Sequence, residues 1–343
     1  MTDSREYAGI DYFRVIAALL VVAIHISPLE NINETADFIL TRIIGRVAVP
    51  FFFMTSGFFI FSDIQNDKAK IKSFINKTIS LYIISIIIYI PVNIYAGYFK
   101  GNNLLSKILR DILINGTMYH LWYLPAAILG GIITWVLMAK IGHKRAFYVA
   151  LCMYLVGLFG DSYFGVIENT SILARFYDYI FKISDYTRNG LFFAPIFFIL
   201  GSIIKNQRAD YSRGSNFIAL LISLSLMLAE GLLLHKFQLQ RHDSMYITLV
   251  PCMFFLFRFL LSYRGNRVAY LGTGTMIVYI IHPMMIIFVR LLGKVFGLES
   301  LLVEDKFIHY ILVLVFSTIV ALILTLWKKG RRIRGKNNGE LQR

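Results

Sequence analysis

Apolar residues fall along this chain in long blocks separated by short polar stretches, and a block of about 20 is what a helix needs to cross roughly 30 Å of hydrocarbon. Ten such blocks occur, centred near Ala18, Pro50, Ile88, Gly130, Tyr154, Phe197, Leu224, Phe254, Ile280 and Ile319. The fifth and sixth are the shortest and are broken by Gly157, Gly160 and Pro195. This pattern predicts an all-α, polytopic membrane helix bundle of about ten transmembrane helices. The polar separators set its orientation, because lysine and arginine accumulate in cytoplasmic loops. With the N-terminus inside, the inner segments hold twenty Lys/Arg, among them Arg5, Arg208, Arg264, Arg267 and seven after Trp327, against ten in the outer segments. Acidic residues run the other way, with six inside and twelve outside. Both the N-terminus and the C-terminus are therefore expected to be cytoplasmic, in a multi-pass protein of the cell membrane.

Composition supports the same class. Hydrophobic residues make up 57% of the 343 positions, charged ones 16%, and mean hydropathy is +0.64, beyond what a soluble domain of that size carries. The formal charge of +15 follows from the loop asymmetry and from attraction to anionic membrane lipid, so no nucleic acid partner is expected. Cys152 and Cys252 are expected to be buried on separate helices, where they form neither a disulfide framework nor a metal site. The first block carries Asp11 and Arg14 and lacks a basic leader with a cleavage site, so it reads as a retained helix. There are no repeats. Residues 328–343 are basic and contain Gly330, Gly335 and Gly339, which reads as a disordered, lipid-facing cytoplasmic tail or a linker stump. The expected division is a transmembrane domain over 1–327 and that tail over 328–343.

Ionisable residues inside the blocks mark the candidate chemistry. Arg14 and His25 are eleven residues apart in the first block, about three turns plus roughly 20°, which puts them on one helix face about 16 Å apart. A mid-helix arginine in lipid costs about 2.5–3.5 kcal/mol even on lenient scales, so both are expected to face a cavity or a partner. Asp11 lies three residues before Arg14, close enough to neutralise it and to fix its orientation. His25, with an ordinary pKa near 6.5, is suited to deprotonating a hydroxyl; nucleophilic attack by the imidazole is the variant. In the second block Arg42 and Arg46 share a face, Arg42 near the outer end where it can snorkel and Arg46 deeper, facing a cavity. Ser56-Gly57 reads as close helix packing. Tyr119 and Tyr123 read as interface anchors, while Trp122 and His120 are candidates for the mouth of a substrate site. His282 precedes Pro283, which weakens the helix one turn earlier, and a broken helix beside a histidine marks a cavity wall. Glu230 is an intramembrane carboxylate with no obvious partner. Gly160-Asp161-Ser162 imitates an esterase serine motif without the strand or the downstream histidine that motif needs, and it is set aside.

Four of these segments resemble, in order, the signatures of the acyltransferase family 3 membrane proteins. They are Arg14 with His25 ten residues between, Pro50-Phe51-Phe52-Phe53-Met54-Thr55-Ser56-Gly57-Phe58, His120-Leu121-Trp122 and Tyr279-Ile280-Ile281-His282-Pro283. The resemblance runs over residues 7–327. It implies a ten-helix enzyme that moves an acyl group, commonly acetyl, from acetyl-CoA or another acyl-CoA to a hydroxyl of a glycan or other acceptor. It makes His25 the catalytic base or acyl relay, Arg14 its partner, and Arg46 a binder of an anionic part of donor or acceptor. No permanently bound cofactor is implied. The basic loops at 68–77 and 140–145 are placed to attract CoA phosphates, or are ordinary positive-inside loops. A further likeness, carried by Tyr7-Ala8-Gly9-Ile10-Asp11-Tyr12-Phe13-Arg14, Asp185-Tyr186-Thr187-Arg188-Asn189-Gly190 and His242-Asp243-Ser244-Met245-Tyr246, is to the membrane domain of the serine racemases found with vancomycin resistance. In those proteins a racemase domain follows the last helix, and the membrane part is associated with L-serine supply.

Two readings follow. In the first, an O-acyltransferase, His25 and Arg14 act on the reacting atoms, and Asp11, Arg46, Trp122 and His282 bind substrate. In the second, an L-serine uptake domain, Arg14 or Arg46 takes the carboxylate and Asp11 or Glu230 the amine. His25 discriminates between them, since acyl transfer requires it and carboxylate recognition does not.

Overall fold

The computed structural model describes residues 7–64, 66–100, 103–207, 212–263, 265 and 271–340, the last twelve of these as backbone only. Arg5, Arg208, Arg264 and Arg267, used above for orientation, lie outside the described residues, as do the tail side chains beyond Lys328. Every regular element among the described residues is helical. All ten apolar centres fall in helices, and among the described residues seven helical segments are long and apolar enough to cross a membrane. Two further apolar helices have only 13 residues each.

The chain divides into two compact units, one from residues 7–41 with 263–343 and one from residues 42–262. The first contains α1 (Ala8–Ile26), α2 (Glu34–Phe38), α12 (Leu271–Phe296) and α13 (Lys306–Glu340). Helix α1 is built of Ala, Val, Ile and Leu without an internal Pro, and it stops where Ser27 enters the left-handed region, φ 58°, its N–H bonded back to Ala23 O. Val22 and Ile26 of α1 pack with Val278, Ile286 and Val289 of α12 and with Val313 and Ala321 of α13 in one apolar core. Helix α13 runs on to Glu340, so the segment expected to be disordered has a helical backbone.

The second unit contains α3 (Ala48–Ile60), α4 (Lys68–Tyr95), α5 (Leu104–Arg110), α6 (Tyr123–Phe159), α7 (Phe164–Ile167), α8 (Ser171–Ile183), α9 (Ala194–Asn206), α10 (Arg213–Lys236) and α11 (Leu249–Leu261). The fourth and fifth apolar blocks form α6, which turns at Gly142 with φ 75° and ψ 166°, a conformation that strains any residue with a Cβ. Helices α3 and α9 meet backbone to backbone. A Cβ on Gly57 would lie 2.1 Å from Phe198 O, and one on Gly201 2.1 Å from Met54 O. The packing role read for Ser56-Gly57 is therefore present, with Gly201 as its counterpart. Cys252 is buried as expected, but Cys152 is exposed on the outside of α6.

The regular second helix expected around Arg42 and Arg46 is interrupted. Residues Ile39–Ile43 form a π turn and Ile44–Val47 a 3-10 turn before α3 begins. Pro50 has no N–H for the Arg46 carbonyl, so α-helical bonding cannot be continuous across this point.

Candidate functional site

In the first unit the acidic and basic residues of α1 meet as their spacing requires. Asp11, buried, and Arg14, half-buried, form an ion pair. The guanidinium lies beside Gly272 of α12, where a Cβ would stand 3.6 Å from Arg14 Nη1. One end of α1 thus neutralises its own cation.

Near the other end, His25 stacks on His282 of α12, with ring centroids 5.2 Å apart and planes 22° from parallel. Helix α12 is not broken at Pro283, which corrects the expectation of a broken cavity wall. Pro283 cannot donate to Tyr279 O, and His282 takes over that acceptor: its Nδ1 is 2.8 Å from Tyr279 O and 3.2 Å from Val278 O. A carbonyl only accepts, so Nδ1 carries the proton and Nε2 the lone pair in the neutral ring. His282 is fully buried and held in one tautomer, while His25 is only half-buried. A fixed buried imidazole against a more accessible one is an arrangement able to orient a base.

Arg46 and Trp122 belong to the second unit, where Trp122 sits beside a residue given no role from sequence, while Arg46 does not line the cavity those two share. Arg188 lies over the rings of Trp122 at 5.0 Å and Tyr186 at 4.5 Å, and it is the strongest neighbouring charge on buried Arg46. Trp122, Arg188 and Tyr186 line a cavity of about 460 Å³ that also takes in Asn93, Asp111, Asn115 and Asp185. Its walls are cross-linked: Asn115 donates to Asp111 at 3.2 Å and to Asp185 at 3.1 Å, and Tyr98 donates to Asp111 at 2.7 Å. His120 is buried against Tyr89 and is not a lining residue. Tyr119 is exposed, but Tyr123 is buried 5.0 Å from the Phe53 ring and is no interface anchor. Its place at the start of α6 turns it into the aromatic core.

Two carboxylates tie together the loops of this unit. Asp161 accepts from Ser244 N at 2.7 Å, Met245 N at 3.0 Å and Ser162 Oγ at 3.0 Å, so the Gly-Asp-Ser segment is a clamp between loops. Burial pushes the Asp161 carboxyl up to about 6, while the Ser244 N–H and Arg188 pull it back. Burial also lowers the Arg188 guanidinium, against the attraction of Asp161. Glu230 has partners after all: it accepts from Tyr163 OH at 2.8 Å, Ile247 N at 2.6 Å, Thr248 N at 2.9 Å and the Thr248 hydroxyl, and so caps the entry to α11. Those partners come from other loops, which is why local spacing did not reveal them. The signal for Arg188 was present in the Asp185–Gly190 segment quoted for its likeness, as a cation amid aromatic and amide residues.

Comparison with known proteins adds the family. The acyltransferase 3 model, described as an acyltransferase domain, matches residues 7–326. An "Amino-acid racemase" of Enterococcus faecalis is 47% identical over 327 residues, 95% of this chain and 46% of that protein. A "Serine/alanine racemase" of Enterococcus gallinarum is 35% identical over 341 residues, 98% of this chain and 48% of that protein. The chain therefore spans about half the length of the curated relatives it matches. No solved structure matches. With seven membrane-length apolar helices and this match over nearly its whole length, the chain is a membrane protein and belongs to the acyltransferase 3 family.

Proposed function

We propose that this chain is a cell-membrane O-acyltransferase that moves an acyl group, commonly acetyl, from acyl-CoA to a hydroxyl of a glycan or other acceptor. The observation that carries the reading is the His25–His282 stack, with His282 fixed by the Tyr279 carbonyl. In this reading His25 accepts the hydroxyl proton as the acceptor oxygen attacks the thioester carbon. The carbon–sulfur bond then breaks and the CoA thiolate leaves with the proton. Arg14, oriented by Asp11, supplies fixed positive charge for the developing oxyanion or for the donor. Arg46, Trp122 and His282 serve substrate binding or its positioning. The reading places ten crossings in the membrane, the two 13-residue helices and both limbs of α6 included, with both termini cytoplasmic and residues 328–343 as a basic tail after the membrane domain. CoA binds as co-substrate and no cofactor is resident.

The test is CoA release from labelled acetyl-CoA in vesicles holding the full chain, with membrane lipid and wall precursors as acceptors. Release is expected to fall by about 10²–10⁴ in His25→Ala, the range general acid–base catalysis supplies. Equal release by that variant would sink the reading.

A second reading has its own support: relatives about twice as long bear racemase names. In it the membrane part takes up L-serine, with an arginine for the carboxylate. Serine uptake that survives His25→Ala, without CoA release, would favour it.

A further inference from the structure

The second unit holds two sheltered arginines, Arg46 and Arg188, that form no ion pair among the described residues. Arg46 is 7% exposed, forms no ion pair among the described residues, and has one hydrogen bond, from Nε to Arg42 O at 3.4 Å. Arg188 Nε is buried and meets no acceptor among the described residues. Among the neighbouring charges, Arg42 acts on both arginines, Asp161 on Arg188 and Asp243 on Arg46. His242, facing the same cluster through Tyr186 at 4.3 Å, reports that field: after burial, Arg188 and Arg241 hold its ring down to about 4.

One of the two arginines faces a space. Arg188 lines the cavity of about 460 Å³, and its guanidinium lies over the Trp122 and Tyr186 rings. A guanidinium held on aromatic faces presents its N–H edge as a fork, whose geometry matches a carboxylate in two parallel hydrogen bonds. Asp111 and Asp185 on the same wall oppose a second negative charge, which disfavours a phosphate dianion.

We propose that Arg188 is the carboxylate-binding element of a substrate site entered through the Trp122-lined cavity. The inference deepens the functional reading above and rests on that cavity being the substrate entrance. The carboxylate belongs either to a free amino acid or to a peptide-bearing acceptor, and the chemistry of recognition is the same.

The experiment measures equilibrium binding to the full chain in lipid nanodiscs. The probes are L-serine, L-serine methyl ester, N-acetyl-alanyl-alanine and inorganic phosphate, against wild type, Arg188→Gln and Arg188→Lys. At least one carboxylate probe is expected to bind wild type, with the ester and phosphate much weaker. Arg188→Gln should lose about tenfold or more, and Arg188→Lys, which keeps the charge without the fork, should fall between. If Arg188→Gln does not fold, Arg188→Lys carries the comparison. Serine alone binding assigns a free amino acid; the dipeptide alone assigns an acceptor peptide. Unchanged affinity in the variants, phosphate binding as tight as carboxylate, or no carboxylate binding by wild type would each overturn the proposal. Binding is read separately from CoA release and uptake, so a failed reaction with intact binding condemns the functional reading and not this one.

Discussion

At the scale of single residues, His242 and Asp161 make opposite demands on pH. The His242 ring, lowered to about 4 from its ordinary 6.5 by burial and then by Arg188 and Arg241, stays neutral in the fold. Between those values the unfolded chain binds the proton and the folded chain does not, so this residue removes stability as pH falls. Asp161, raised to about 6 from 3.8 by burial, binds its proton in the fold first and adds stability as pH falls through 6. In His242→Gln only the second contribution remains. The thermal midpoint of that variant is expected to gain on wild type between about pH 7 and about pH 5; midpoints that track each other across that range would refute the assignment.

At the scale of elements, α12 shows how a proline inside a helix can define chemistry. Pro283 leaves Tyr279 O without its α-helical donor, and His282 Nδ1 fills the place at 2.8 Å. In Pro283→Ala the backbone N–H competes for that oxygen. The variant is expected to hold or gain thermal stability while CoA release falls, because His282 no longer has one enforced tautomer; full activity with raised stability would show that the tautomer is irrelevant. Much of this level was legible beforehand. Apolar block length found the helices, and the three-residue spacing of Asp11 and Arg14 found their ion pair. What escaped were features set by distant partners. The break at Ile39–Val47 needs Pro50 read together with its fold, and the Glu230 cap needs donors from residues 163 and 247–248. Burial of Tyr123 against Phe53 depends on a tertiary contact that amphipathic patterning at a membrane interface does not distinguish. For the site, His25, Arg14 and His282 stood out because ionisable groups in apolar blocks are costly, whereas Arg188 sat in a polar loop where charge is ordinary.

At the scale of the molecule, the first unit is discontinuous: α1 packs on α12 and α13, with the whole second unit between them in the chain. The stack of His25 on His282 therefore has a place in time as well as in space. During synthesis α1 enters the bilayer long before α12 exists, and for most of translation its histidine has no ring to meet. The Asp11–Arg14 pair is local to α1, so the helix brings its own charge neutralisation and can wait. In a series of ribosome-arrested chains of increasing length, His25 is expected to react with an imidazole-modifying reagent until α12 has emerged, and to become protected only then. Protection in chains ending before residue 271 would show that something else shelters it. The stacked histidine pair is thus a late event in biogenesis, and a ribosome that stalls short of α12 leaves behind an inserted protein in which that pair has never formed.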